Sequence, residues 1–225
     1  MSPPDIARRL FAPIGSGYER WAAVLSLGQD SRWRKAMVAG LGAGPGAAVL
    51  DVAAGTGSIT RELQRRGHRV TPLDQSLDML GRLRGGASPP VAATAERLPF
   101  PDDSFDALTF GYLLRYVDDI PTCLSELTRV VRPGGRVGMV EFGRPTGIWG
   151  PMWVAYTRLV LPAAGLVIGS GWYRVGRFLG GSIDEFASRW PLADLASTWE
   201  EAGMTEVEWR RMSLGGGVVM WGRKR

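Results

Sequence analysis

Short apolar runs alternate with amphipathic segments between residues 47 and 142 of the chain. Each apolar run has the length of a strand buried on both faces, and each amphipathic segment has the spacing of a helix with one apolar side. This order predicts a doubly wound α/β fold, in which right-handed crossovers build a Rossmann-like, mostly parallel sheet. The predicted strands are residues 47–53, 68–74, 90–94, 105–111 and 136–142, and the predicted helices are residues 58–66, 76–83 and 120–131.

The two ends of the chain depart from this alternation. The N-terminal end has a helical pattern, and Ser31 is predicted to be the N-cap of its second helix. At the other end two strands follow a helix that stops at Gly203, with too few residues between them for a helical crossover. We therefore expect an antiparallel hairpin at the edge of the sheet. These segments are residues 18–25 and 31–38 at the start and residues 192–202, 205–212 and 218–223 at the end.

A single domain accounts for all 225 residues. We divide it into N-terminal helices (1–44), a ligand-binding core (45–142), an apolar helical insertion (143–186) and a C-terminal helix with a hairpin (187–225). The insertion has two interpretations. It is either a lid over a hydrophobic substrate, in contact with a membrane surface, or an added helix pair that only packs on the domain. Its most apolar part, residues 159–168, has about half the length that spans a bilayer.

Composition narrows the function classes. Hydrophobic residues make up 45% and charged residues 22%, as in a globular protein. The formal charge of +5 comes from scattered arginines without an aromatic platform, so we expect no nucleic-acid ligand. The single cysteine, Cys123, is interpreted as a core residue, and neither a disulfide nor a metal site is expected. No secretion signal is evident, so we expect a cytoplasmic protein, or one held at the inner face of the membrane.

A glycine turn follows the first predicted strand. Gly55, Thr56 and Gly57 stand between that strand and the next helix, where glycine lets the backbone approach a ligand closely. Asp74 closes the second strand, where a carboxylate can take both hydroxyls of an adenosine ribose. Either a dinucleotide or S-adenosylmethionine would suit this pair of features.

Three features favour S-adenosylmethionine. Thr60 replaces the third glycine of the dinucleotide fingerprint. Asp51 precedes the loop, and its charge suits a cationic amino acid better than a pyrophosphate. The terminal hairpin is foreign to the usual dinucleotide fold. Further candidate contacts are Gln75, Thr94, Ala95 and Glu96, together with Met79, which packs either on the adenine or in the core.

Several segments together resemble the ubiquinone/menaquinone biosynthesis C-methyltransferase family, a group of class I S-adenosylmethionine-dependent methyltransferases. The resemblance implies cofactor contacts at Thr56, Asp74, Thr94 with Ala95, and Gly111. The segments that carry it are Leu25 to Gly28 with Trp33 and Arg34, Leu50 to Thr60, Asp74 with Ser76, Met79 and Leu80, Leu98 to Asp106, Arg132 to Arg136 with Glu141 and Phe142, and Phe178-Leu179 with Ser182-Ile183.

The chain departs from the family at the segment after the fourth predicted strand. The family reads Phe-Gly-Leu-Arg-Asn-Val there, and this chain reads Tyr-Leu-Leu-Arg-Tyr-Val over residues 112–117. Arg115 is kept, whereas larger side chains replace the Gly and the Asn. Thr94 also stands where the family has Asp or Asn. Because the altered segment faces the substrate in the family, it bears on the acceptor and not on the cofactor.

Carbon methylation of a quinol requires a deprotonated hydroxyl, which makes the ring carbon electron-rich. Arg115 is a candidate for stabilising the oxyanion, or else it forms an ion pair with Asp118 or Asp119. Glu141, at the end of the fifth predicted strand, is a candidate base or a loop cap.

Three functions remain as hypotheses. The first is methylation of a lipophilic quinol such as demethylmenaquinol, the second is methylation of another aromatic or polyketide-like molecule, and the third is non-catalytic S-adenosylmethionine binding. Tyr112 and Tyr116 would orient an aromatic acceptor in the first two. We expect a monomer or a homodimer.

Overall fold

The computed structural model describes residue 10, residues 17–83 and residues 88–225. Within them seven strands form one sheet: β1 (Ala48–Val52), β2 (Arg69–Asp74), β3 (Val91–Ala92), β4 (Phe105–Gly111), β5 (Val131–Phe142), β6 (Met204–Met212) and β7 (Gly217–Lys224). The order is β3-β2-β1-β4-β5-β7-β6. β1 to β5 pair in parallel, and β7 runs antiparallel between β5 and β6. The predicted fold class is confirmed.

Helices cover both faces of this sheet. They are α1 (Tyr18–Leu25), α2 (Gln29–Gly40), α3 (Ser58–Arg65), α4 (Leu77–Leu80), α5 (Ile120–Arg129), α6 (Trp149–Ala155), α7 (Leu161–Ile168), α8 (Ser170–Arg189) and α9 (Leu192–Glu201). A π-helical segment, Tyr156–Val160, joins α6 to α7 and makes one continuous helical run from Trp149 to Ile168.

Two apolar clusters hold the helices to the sheet. On one face α5 and α9 pack on the central strands, and the Trp199 ring lies 5.9 Å from the Phe110 ring, centre to centre. Cys123 is fully buried in this cluster. On the other face α2 and α3 bury Met37 and Leu63 against the sheet. The central strands are therefore covered on both sides, which explains why their sequences are apolar without alternation.

Several element boundaries differ from the prediction. The N-cap assignment of Ser31 is wrong, because α2 begins two residues earlier, after Gly28 in a left-handed conformation (φ 74°). β3 is reduced to Val91–Ala92. β5 begins at Val131, five residues before its predicted start, and residues 132–135 form an irregularity within that strand, where the register to β4 shifts.

Helix α2 packs closely against the C-terminal hairpin of β6 and β7. Its Trp33 indole lies so close to Gly217 that a Cβ there would come within 2.4 Å of the ring. Trp33 Nε1 donates to Ser213 Oγ at 2.8 Å, and Trp221 Nε1 donates to the Met37 carbonyl at 2.8 Å. These contacts fix α2 beside the carboxyl end of the parallel strands.

The apolar insertion is a helical hairpin built on glycines. A Cβ at Gly165 would lie 2.6 Å from the Tyr173 backbone, and one at Gly176 would lie 2.7 Å from the Leu161 carbonyl oxygen. Small residues therefore allow α7 and α8 to pack backbone against backbone. The run from Trp149 to Ile168 has 20 residues and is long and apolar enough to cross a membrane, and only 17% of it is buried.

Two glycines of α8 provide a matched test of this close packing. Gly176→Ala should lower the free energy of unfolding by about 1–3 kcal/mol, because the new methyl group meets the Leu161 backbone. Gly181→Ala should raise it by about 0.5–1 kcal/mol, since Gly181 has open space around it and alanine favours a helix. Urea denaturation measures both changes. Equal effects at the two positions would contradict the close contact.

Candidate functional site

A pocket opens at the carboxyl ends of β1, β2 and β4, around the glycine turn. Gly55 and Gly57 both have left-handed backbones, with φ of 57° and 87°. Ala53 shares this conformation at φ 55°, which is strained for a residue with a Cβ and typical of functional loops. The predicted site residues that line the pocket are Gly55, Thr56, Asp74, Gln75, Met79, Ala95, Glu96, Gly111, Tyr112 and Tyr116.

Asp74 connects the two loops that border this pocket. Its Oδ2 accepts from the Gly55 backbone N–H at 2.8 Å, and its Oδ1 accepts from the Ser76 N–H at 2.8 Å. Burial raises the pKa of this carboxyl, and the backbone hydrogen bonds partly oppose the change. The geometry fixes an acidic group at the end of β2, facing the glycine turn.

Glu19, which the sequence analysis did not single out, contacts the glycine turn. Glu19, on α1, accepts from Thr56 Oγ1 at 2.7 Å and from Ser58 Oγ at 3.2 Å. Arg61 of α3 pairs with the same carboxylate, which lowers the pKa of Glu19. Nothing in the local pattern marked Glu19, because it lies far from the turn in sequence and meets it only in the folded chain.

Three of the predicted cofactor residues do not line the pocket. Thr94 is exposed beside it, and its neighbour Ala93 lines the pocket instead. Gly57 turns the chain into α3 as its N-cap. Asp51 lies beneath the glycine turn and is fully buried.

The buried Asp51 holds neighbouring elements together. It accepts from Thr60 Oγ1 at 2.6 Å and from Thr109 Oγ1 at 3.0 Å, which ties β1 to α3 and β4. Burial raises the pKa of Asp51 to about 6 against the effect of both hydroxyls. In the sequence analysis Thr60 is noted only because it replaces the third glycine of the dinucleotide fingerprint. The structure shows that it is a hydrogen-bond partner of this buried acid.

Gly111 closes the pocket at the end of β4 and allows a helix to approach. A Cβ there would lie 2.8 Å from Ile59 Cδ1 and 3.0 Å from Val140 Cγ1. Ile59, on α3, itself lines the pocket. The absence of a side chain at Gly111 therefore sets the position of the pocket wall.

Arg115 and Glu141 form a buried ion pair with each other. Arg115 Nε lies 3.0 Å from Glu141 Oε1, and each side chain is only 2% exposed. Ser182 Oγ of α8 accepts from Arg115 Nη1 at 3.2 Å. Burial alone would lower the pKa of Arg115, but the Glu141 carboxylate raises it, so the guanidinium stays charged. The partner of Arg115 is thus Glu141 and neither Asp118 nor Asp119.

A second, apolar cavity of about 420 Å³ adjoins the first pocket beneath α6 and α8. Arg34 and Tyr112 line both spaces, and Arg115 lines the apolar one. Its other walls are mostly aromatic and aliphatic: Trp33, Phe142, Trp149, Met152, Trp153 and Trp172. In the part of the chain that the structure describes, no group of three His, Cys, Asp or Glu side chains could hold a metal ion.

Comparison with known proteins assigns the chain to a family. The model of the ubiE/COQ5 methyltransferase family matches residues 5–224. The chain belongs to the ubiE/COQ5 methyltransferase family. It is 38% identical to a demethylmenaquinone methyltransferase of Mycolicibacterium paratuberculosis over 97% of this chain and 92% of that protein. A protein of the same name from Mycobacterium sp. (strain KMS) is 40% identical over the same shares of the two chains.

Solved structures confirm the architecture. A SAM-dependent methyltransferase from Thermotoga maritima superposes with a TM-score of 0.65 at 20% identity, over 97% of this chain and 99% of that one. A second from Aquifex aeolicus gives a TM-score of 0.58 at 16% identity, over 85% and 89%. At these identities the likeness shows the fold alone.

The chain is therefore an S-adenosylmethionine-dependent methyltransferase, as the sequence predicts. The residues present fit this cofactor. Asp74 presents a carboxylate at the end of β2, and the glycine turn leaves its backbone accessible beside Thr56. At the start of α3, Thr60 stands where a pyrophosphate site uses a glycine, and its hydroxyl donates a hydrogen bond to Asp51.

Replacing Asp74 tests the cofactor site. Asp74→Ala should weaken S-adenosylmethionine binding about 100-fold, because two hydrogen bonds to a charged group contribute roughly 3 kcal/mol. Titration calorimetry measures the dissociation constant, and Asp78→Ala, an exposed carboxylate on α4, is the matched control. Equal affinity in the two variants would show that Asp74 does not contact the cofactor.

Proposed function

We propose that this enzyme methylates a ring carbon of a lipophilic quinol such as demethylmenaquinol. One observation carries the proposal: an apolar cavity adjoins the cofactor pocket and shares Arg34 and Tyr112 with it. The relatives that match nearly the whole chain support it, since they bear the name demethylmenaquinone methyltransferase. The alternative, another aromatic or polyketide-like acceptor, is not favoured by these relatives.

The size and lining of the apolar cavity support a flat aromatic acceptor with an apolar tail. Its volume of about 420 Å³ lies within the usual range for small-molecule sites. Most of its lining is apolar, and two of its polar side chains, Arg34 and Tyr112, also line the cofactor pocket, where a ring hydroxyl would lie. The remaining walls offer apolar surface for an alkyl chain.

The cofactor contacts remain proposals for individual residues. Asp74 would bind the ribose hydroxyls, with Gln75 beside it. Gly55 and Thr56 would hold the amino-acid end, and Met79, Ala95 and Glu96 would surround the adenine. Gly57, Asp51 and Thr94 would act indirectly, through the loop conformation, the Thr60 bond and the short bridge between Thr94 and Arg97. When bound, S-adenosylmethionine supplies an activated methyl group.

Arg115, Glu141 and Tyr116 form the proposed polar end of the acceptor site. The Arg115 guanidinium lies 5.0 Å from the Tyr116 ring centre and 5.3 Å from that of Phe142, and it faces the apolar cavity. We assign Arg115 to stabilising negative charge on a ring oxygen. Glu141 would act through Arg115, since its Oε1 holds the guanidinium, and Tyr116 would orient the ring.

We further propose that residues 143–186 form a lid that rests on the membrane surface at the cytoplasmic face. Large apolar side chains of this segment point outward, with Val167 89% exposed and Ile148 80% exposed. The same helical run lines the acceptor cavity with Trp149, Met152 and Trp153 on its inner side. A prenyl tail could then pass from lipid to cavity without crossing water. The expectation of a monomer or homodimer stays a prediction.

Transfer of an isotopically labelled methyl group to a panel of quinols and phenols tests the substrate. We expect label on a ring carbon of a naphthoquinol, located by mass spectrometry and NMR. Asp74→Ala serves as the inactive control. Label on a different acceptor would replace the quinol by the aromatic or polyketide-like alternative, and binding of cofactor without transfer to any acceptor would refute the proposal.

Vesicle flotation tests the membrane contact. Replacing Leu166 and Val167 together by glutamate should lower binding to phosphatidylcholine–phosphatidylglycerol vesicles about tenfold or more, because each apolar side chain removed from lipid loses roughly 1.5 kcal/mol or more. The matched control is Trp209→Glu, an exposed apolar residue on β6, outside the lid. Equal binding of wild type and double variant would exclude the lid as the contact.

A further inference from the structure

One cluster of charged and polar side chains stands at the boundary between the two pockets. Tyr112 and Arg34 line both spaces, and Asp30 lines the apolar one. The transferred methyl group has to pass from the cofactor pocket to an acceptor in the apolar cavity. Chemistry therefore has to take place where the two spaces share a wall, and these three side chains form part of that wall.

The three side chains are bonded to one another. The Tyr112 hydroxyl donates a hydrogen bond to Asp30 Oδ1. Asp30 Oδ2 forms an ion pair with Arg34 Nη2 at 3.0 Å, and both side chains are 12% exposed. The Arg34 guanidinium also lies 5.4 Å from the centre of the Tyr112 ring. An acid, a cation and a phenol thus face the same space with little access to water.

The backbone holds these groups in place. Gly28 begins α2 in a left-handed conformation, which puts Asp30 in the first helical turn with its side chain inward. Tyr112 is also left-handed, at φ 57°, a conformation that costs about 1–3 kcal/mol for a residue with a Cβ. Its N–H donates to the Val140 carbonyl at 2.9 Å, and its ring packs on Phe142. The surrounding fold therefore compensates for a strained tyrosine at this boundary.

We propose that Asp30 is the general base that removes the proton from the hydroxyl of the aromatic acceptor. The inference rests on the proposed function, and it assigns the proton transfer to a residue other than Glu141. Tyr112 orients the carboxylate through its hydrogen bond. Arg34 balances the charge, because it stands beside Asp30 and also borders the space where the ring oxyanion forms.

The atoms balance in this step. The acceptor O–H bond breaks, its proton goes to Asp30, and the electron pair moves through the ring to the carbon that forms the new C–CH₃ bond. The S–CH₃ bond breaks, and its electron pair stays on sulfur. The ring carbon then loses its hydrogen as a proton to solvent, and Asp30 returns its own proton to the ring oxygen. The net products are the methylated quinol, S-adenosylhomocysteine and one proton.

The position of Glu141 makes it the weaker choice for this role. Its Oε1 accepts from Arg115 and from the Phe142 N–H at 2.8 Å. Glu141 lines neither the cofactor pocket nor the apolar cavity, and lies instead at a third space bounded by Arg144 and Arg158. Tyr112 is unsuited to be the base itself, because burial and the Asp30 carboxylate raise the pKa of its phenol well above the usual value.

Asp30→Asn tests the proposal, because it keeps the shape of the side chain and removes the base. We expect kcat to fall about 10²- to 10⁴-fold. The dissociation constant for S-adenosylmethionine should change less than about threefold, because Asp30 does not line the cofactor pocket. Asp102→Asn, an exposed acid paired with Arg129, is the control and should leave kcat unchanged.

A series of acceptors with increasingly acidic hydroxyls separates a base from a structural residue. The ratio of wild-type kcat to Asp30→Asn kcat should shrink as the acceptor hydroxyl becomes more acidic, because an ionised acceptor no longer needs a base. The nucleophilicity of the ring carbon cancels in this ratio. Tyr112→Phe, which leaves the acid in place, should lose only about tenfold in kcat, as expected for one orienting hydrogen bond.

The outcomes distinguish the two proposals. A wild-type enzyme that methylates no quinol contradicts the proposed function. A wild-type enzyme that is active on quinols, with an Asp30→Asn variant that is equally active or equally impaired across the whole acidity series, overturns the role of Asp30 alone. If Asp30→Asn does not fold, a loss in Tyr112→Phe as large as that expected of the base, with the same dependence on acidity, would assign the proton to the phenol and overturn the proposal.

Discussion

The position of α2 against the sheet is the constraint on which the two pockets depend. Trp33 lies on the backbone of Gly217, and a Cβ at Gly138 would come within 2.9 Å of Met37 Sδ. Glycine at both sheet positions allows the helix to approach more closely than any side chain would permit. This close contact brings a helix from outside the α/β core to the carboxyl ends of the strands, where the helix supplies Arg34 to both pockets and Asp30 to one.

Three buried charged groups around the site each have a partner. Asp51 is held by two threonine hydroxyls, Asp74 by two backbone N–H groups and Arg115 by Glu141. An unpaired buried charge would cost several kcal/mol, which explains why each of these groups has a partner. Asp51 and Glu141 are supporting residues because neither lines the cofactor pocket or the apolar cavity, whereas Asp74 lines the cofactor pocket.

The proposed lid, residues 143–186, has a different physical character from the core. In the described residues of α6 no side chain is buried, and only 17% of the apolar run Trp149–Ile168, which includes α6, is buried. Close backbone contact through Gly165 and Gly176 gives the hairpin its shape, while its outer face has no protein partner within the described residues. Large exposed apolar side chains such as Ile148, Leu166 and Val167, close together on one segment, are typical of a membrane or substrate interface. The acceptor cavity lies directly beneath it, which connects the proposed membrane contact to the proposed substrate.

The sequence by itself determined the sheet, because buried parallel strands need continuous apolar runs and the crossovers between them need helices. It also indicated the cofactor: the glycine turn and Asp74 predict an adenosine ligand, and Thr60, Asp51 and the terminal hairpin favour S-adenosylmethionine over a dinucleotide. Only the tertiary structure decided which side chains of α1 and α2 reach the site. Glu19 and Asp30 lie on helices whose hydrophobic pattern does not show which distant residues their side chains contact. The sequence also did not show that the Asp51 carboxylate binds Thr109, or that Arg115 pairs with Glu141. Both depend on contacts between residues far apart in the chain.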